Sequence, residues 1–251
     1  MIKNIIYIFA LFILSGCDSE SGSDCFKTSG TIITKEVSLE EFSKVIFHEG
    51  IELEIKQGAK NSMQISYGEN IIDNITTNII GDKLSITNTA SCNLARDFEP
   101  ATVILTAIEI NEIRNASQFV VFSNEVLRFD SLTLISENHL IDYVNVGNFD
   151  LHIENQNLNI ITNNVSNFYI KGKTDNLDIV FAAGTGKFEG EQLIAQNIHL
   201  FHRGINNIVI NPIQQLTGEI RGTGDAIAVN RPPTVDVTEF YTGQLIFKNK
   251  N

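Results

Sequence analysis

The chain has 251 residues, 43% of them apolar, with 17 Gly, 4 Pro, three Cys and no Trp, which is enough apolar material to bury a sizeable core and excludes disorder of the whole. Its formal charge is −12, and removing a leader that contains only Lys3 leaves 17 basic against 30 acidic residues. A surface of that sign repels phosphate backbones and anionic headgroups, which argues against nucleic acid as a partner and against membrane binding by electrostatics alone.

Residues 1–16 read MIKNIIYIFALFILSG, one cation followed by an apolar run from Ile5 to Leu14 that is too short for a comfortable membrane span but suits a secretory leader. Leu14-Ser15-Gly16-Cys17 resembles the lipobox of bacterial lipoproteins, in which the leader is cut before the cysteine. The resemblance implies that Cys17 is the lipidated first residue, held to a membrane by acyl chains at about 0.8 kcal/mol per buried methylene. An ordinary cleaved leader with a chance cysteine is the competing reading. Residues 17–29 comprise this cysteine and a polar, acidic, Gly/Ser-bearing tether. Acidic residues after the cysteine resemble surface-export signals of some bacteria, whereas Asp18 directly after it resembles inner-membrane retention in others. The expected location is the cell envelope, at the outer membrane, with the leaflet left open. If Cys17 is acylated, Cys25 and Cys92 remain as a pair in an oxidising compartment, and a disulfide across the 66 residues between them contributes about 2–4 kcal/mol.

Residues 30–251 are expected to form a single all-β domain. The stretches TIITKEV, KVIFHE, IELEIKQ, MQISY, ITTNII and KLSIT alternate apolar and polar residues, as in Ile51-Glu52-Leu53-Glu54-Ile55-Lys56, which predicts a sheet with one wet face. SLEEF at 38–42 predicts at most one helical turn, capped by Ser38 with Glu41 three residues on. Gly81-Asp82 predicts a tight hairpin, and these first strands are expected to be antiparallel and to cap an open end. Beyond the loop at 91–100, short strand phrases recur. Phe149, Leu158, Phe168, Leu177, Phe188, Ile198 and Ile208 mark the same place in each at steps of 9, 10, 9, 11, 10 and 10 residues, so that pairs return about every 20. That rhythm predicts a parallel β-solenoid in which each turn pairs with the next and inward Leu, Ile and Phe stack. Asn155, Asn163 and Asn164 are candidates for amide ladders at its corners, and Pro232-Pro233 is expected to mark its exit.

Phe42 to Gln57, Leu84 to Thr87, Val103 to Ile113 and the turns Gly184-Thr185-Gly186 and Gly222-Thr223-Gly224 resemble the putative autotransporter adhesin head GIN domain family over most of residues 40–230. The resemblance implies a right-handed parallel β-helix, export, and a protein or glycan partner at the cell surface. It implies no catalytic, cofactor or metal residues. Asn115-Ala116-Ser117, Gly147-Asn148 and Asn163-Asn164 stand where the family tends to place Ser-Gly pairs, and Asn also tolerates the left-handed region.

Assembled chemistry is scarce. Gly184-Thr185-Gly186-Lys187 lacks the six-residue frame and following Ser/Thr of a phosphate loop, and G-x-S-x-G, H-E-x-x-H and C-x-x-C are all absent. His199, His202 and Arg203 cannot share one face, and with His48, His139 and His152 distant they read as surface histidines, not metal ligands. Asp150, Asp178 and Glu189, with Asp142 and Asp175 near turns, are the acids that a polysaccharide lyase or hydrolase would use, but an outward solvated stripe explains them equally. The expectation is therefore a non-enzymatic, cofactor-free binding protein, with polysaccharide processing as the alternative.

Overall fold

The computed structural model describes residues 27–90, 99–138 and 144–248. The leader, Cys17, Cys25, Cys92, His139 and Asp142 lie outside the described residues. Among those described, no α-helix occurs, and 19 strands form one mixed sheet curled into a half-barrel.

The first strands are β1 (Ile32–Ser38), β2 (Lys44–His48), β3 (Ile51–Gln57), β4 (Ser62–Gly68), β5 (Ile75–Ile80), β6 (Lys83–Asn88) and β7 (Ala101–Ala107). Antiparallel pairing joins β1 to β4, β4 to β7 and β5 to β6, but the expectation that all of these first strands are antiparallel is corrected, because β2 pairs with β6 and β3 with β7 in parallel, as rungs of the same stack. Gly81, at φ 64°, and Asp82 make the two-residue β5–β6 turn. Asp82 then holds the next layer: its carbonyl accepts from the N–H groups of Ser43 and Lys44, and its carboxylate lies 3.0 Å from Lys44 Nζ.

Two local expectations are corrected. The SLEEF stretch has no helical turn, because Ser38 ends β1 and the loop at 59–61 takes the backbone groups that follow. Leu39 N–H donates to the Asn61 carbonyl and Asn61 Nδ2 donates to the Glu40 carbonyl. A single isolated turn has too few hydrogen bonds to repay its nucleation, so tertiary partners decide. In β3, Ile51, Leu53 and Ile55 are buried as alternation predicts, yet Glu54 on the other face is also buried, at 6% exposure. Asn124 Nδ2, 2.9 Å away, and Lys56 Nζ, 3.4 Å away, satisfy its carboxylate.

From there the pairing is parallel. β8 (Glu112–Ala116), β9 (Val121–Leu127) and β10 (Ser131–Ser136) lead into two 14-residue strands, β11 (Phe149–Thr162) and β12 (Phe168–Phe181). After them come β13 (Phe188–Glu189), β14 (Leu193–His202), β15 (Ile208–Ile210), β16 (Pro212–Ile220), β17 (Ala226–Ala228), β18 (Thr234–Glu239) and β19 (Leu245–Phe247). The register aligns Leu132, Leu158, Leu177, Ile198, Leu216 and Val235 in one column. A second column holds Val121, Phe149, Phe168, Phe188, Ile208, Ala226 and Leu245. The marker residues thus alternate between two core columns, as a return every 20 residues requires. The Phe149 and Phe168 rings stack at 4.6 Å, and Phe181 meets Phe168 edge-on.

Corners are closed by side chains. The β11–β12–β14 ladder skips Gln156, Asp175 and Gln196, and the residue before the skip bonds the carbonyl beyond it, Asn155 Nδ2 to Asn157 and Thr174 Oγ1 to Asn176. At another corner, exposed Val165, Thr185, Thr223 and Thr242 each precede a buried Ser or Gly, and a Cβ on Gly186 or Gly243 would stand 2.4 or 2.3 Å from a carbonyl of the preceding rung. The amide ladder uses other residues than those expected: Asn197 Nδ2 donates to Asn176 Oδ1, Asn176 Nδ2 to Asn157 Oδ1, and Asn157 Nδ2 to Ser131 Oγ. Nor does Pro232-Pro233 end the array. β18 pairs with β16 and β19 with β17, one rung further, because the prolines sit at a corner that owes no ladder donor.

Candidate functional site

Strands β11, β12 and β13 place Asp150, Tyr169 and Glu189 side by side in register, all exposed, each beside an inward Phe (149, 168 and 188). Buried Phe anchors the backbone and alternation turns the next side chain outward. Two residues on, Lys171 joins them, and the β13–β14 connection adds Glu191 and Gln192. The result is an open groove of about 300 Å³. Asp150, Tyr169, Lys171 and Glu189 make no side-chain hydrogen bond or ion pair with any described residue, whereas Glu191 pairs with Lys248 at 3.3 Å. Of the acids singled out in the sequence, Asp150 and Glu189 are therefore brought together, one on each side of an aromatic ring.

Asp178 is not part of this group. The other half of the ladder sets it in a row with Asn159, His199, Thr217 and Asp236, and Asp178 Oδ1 lies 3.1 Å from His199 Nδ1. A second shallow groove, about 450 Å³, opens there beside Glu219 and Thr238. Arg221 Nε donates to Glu219 Oε2 and holds that carboxyl below the usual range, whereas Asp236 in the same lining has no ion pair with a described residue. Asp175 is exposed at the skipped corner and Arg203 is exposed after β14.

His202 departs from the surface reading. It is the inward last residue of β14, fully buried, set edge-on to Phe181 at 5.9 Å, with neither ring nitrogen hydrogen-bonded within the described protein. Burial lowers its pKa, opposed by the nearby Asn206 and Gly224 peptide groups and the Asp225 carboxylate. Among the described residues no group of three or more His, Cys, Asp or Glu converges as metal ligands, and no helix is long and apolar enough to cross a membrane.

Sequence reasoning missed Tyr169, Lys171 and Gln192. The available signal was Phe168-Tyr169, an aromatic pair on an alternating strand, of which only the first can point inward.

A family model described as "Putative auto-transporter adhesin, head GIN domain" matches residues 41–232. Among solved structures, a putative adhesin from Bacteroides fragilis superposes with TM-score 0.79 at 20% identity, covering 88% of this chain and 100% of that one. A putative lipid binding protein from Parabacteroides distasonis gives 0.64 at 14% identity over 89% and 100% of the two chains. A putative adhesin from Parabacteroides merdae gives 0.57 at 17% identity over 89% and 99%. At these identities the likeness is one of fold. No curated protein matches the sequence significantly.

Proposed function

The chain belongs to the putative auto-transporter adhesin, head GIN domain family, and from that premise we propose a non-enzymatic, lipid-anchored cell-envelope protein that presents a right-handed parallel β-helix for adhesion to a protein or glycan. The observation that carries the binding role is the row Asp150–Tyr169–Glu189: rigid strands hold three side chains outward without internal partners. Right-handed winding is supported by the near-universal hand of crossovers between parallel neighbours. Residues 30–251 act as one folded unit, Cys17 carries the lipid at the outer membrane, and a Cys25–Cys92 disulfide ties the segment before β1 to the loop between β6 and β7.

Fractionation of producing cells tests the anchor. Cys17→Ser is expected to move the protein from the membrane to the soluble fraction; unchanged membrane retention overturns lipid anchoring. Adhesion is tested by deleting the protein and measuring attachment of intact cells to glycan- and protein-coated surfaces, where undiminished attachment counts against it. A second reading, polysaccharide processing, draws on the two carboxylates that flank the Tyr169 groove. Chain cleavage abolished by Glu189→Gln would select it over adhesion.

A further inference from the structure

We infer that the groove over Tyr169 is a subsite for one ring of a neutral polysaccharide, an assignment that rests on the adhesion reading and gives it a ligand class. Tyr169 is 44% exposed on the centre strand of its row, so an aromatic side chain stands open to solvent between two polar flanks. The negative π-face attracts the polarised C–H edges of a sugar ring, and a groove of about 300 Å³ is at the small end of ligand sites, suited to a single ring.

The polar groups decide the charge of the ligand. Asp150 and Glu189 offer only acceptors, Lys171 only donors, and Gln192 both. Lys171 forms no ion pair with the carboxylates that share its groove. The unpaired carboxylates of Asp150 and Glu189 repel an anion, while Lys171 opposes a cation seated on the same ring. A neutral ligand whose hydroxyls each donate and accept uses both kinds of group at once. The His199 groove offers no such set, because no described lysine or glutamine lines it and its Glu219 is paired with Arg221. Preorganisation comes from the strands: Phe149, Phe168 and Phe188 are fully buried beneath the row, so the backbone is ordered before binding and only the outward side chains remain to be fixed.

The test titrates the full mature protein with mannan, β-glucan, galactan and xylan, with heparin and polygalacturonate as anionic probes and oligolysine as the cationic one. At least one neutral polysaccharide is expected to bind with an affinity insensitive to salt. Tyr169→Ala should weaken it about 10-fold or more, Glu189→Gln about 3-fold, and Tyr169→Phe hardly at all. Circular dichroism establishes that each variant is folded, which an exposed strand position permits. Binding confined to the anionic or cationic probes, no binding to any neutral polysaccharide, or equal binding by folded Tyr169→Ala overturns the assignment. Attachment of intact cells measured alongside separates the two levels. If wild-type and Tyr169→Ala cells attach equally well, and better than cells lacking the protein, the groove fails and adhesion stands; if all three attach alike, both fail.

Discussion

His202 concentrates the cost of building this core. Burial of the imidazole favours its neutral form, and the Asn206 and Gly224 peptide groups and Asp225 offset that only in part. Burial lowers its folded-state pKa, so above the ordinary histidine value of about 6.5 both folded and unfolded states are neutral and the group adds no pH dependence. Below that value the unfolded chain takes up a proton that the folded ring resists, and stability falls by up to about 1.4 kcal/mol per pH unit until the folded pKa is reached. Urea unfolding at pH 7.5 and 5.5 should therefore show a larger loss in the wild type than in His202→Leu. His48, whose pKa burial also lowers, contributes equally to both proteins. Matching losses would mean that the ring titrates freely in place. In the sequence, NIHLFHRG gives no sign of this, because alternation from Ile198 puts position 202 inward only if the strand continues to its last residue.

At the scale of the element, outward amides link one rung to the next. Asn176 donates to Asn157 Oδ1 and accepts from Asn197 Nδ2, both at 3.1 Å, and its Nδ2 also reaches the Gln156 carbonyl at 3.5 Å, so Asn176→Ala breaks three contacts between rungs at an exposed site. The expected cost is about 1 kcal/mol of unfolding free energy, read from the shift of the urea midpoint. Gln215→Ala, next in register but with no amide bond to the row, should cost less than about 0.5 kcal/mol. Equal effects would mean that the amide bonds between rungs add nothing to stability. The first Asn of each phrase NLNII, NLDIV and NIHLF was visible in the sequence, but its pairing was not. Amides 19 and 21 residues apart meet only once the register is set.

For the whole molecule the gradient runs along the stack. β12 is hydrogen-bonded on both sides, to β11 and to β13 and β14, whereas β18 and β19 each have a described partner on one side only. The terminal rung also leaves its core column exposed, Val235 at 38%. In quasi-one-dimensional folds such ends open first, so amides of 234–247 should exchange about 10-fold faster or more than those of β12. Uniform protection would show instead that the last rung unfolds only with the whole.

The recurrence of Phe149, Phe168 and Phe188 and of Leu158, Leu177 and Ile198 was enough to predict parallel pairing and inward stacking of these side chains, because burial of periodic side chains is a property of spacing; their division into two columns came from the register. The Gly81-Asp82 hairpin was equally local. Only the tertiary structure decided that Asp150 and Glu189 share a groove while Asp178 joins His199, that Glu54 and His202 are buried, and that the array continues past Pro232-Pro233. The reason is physical: spacing along the strand tells which side chains turn inward, but neighbours across the sheet depend on where each corner drops or adds a residue, and that is settled by packing against the rung below.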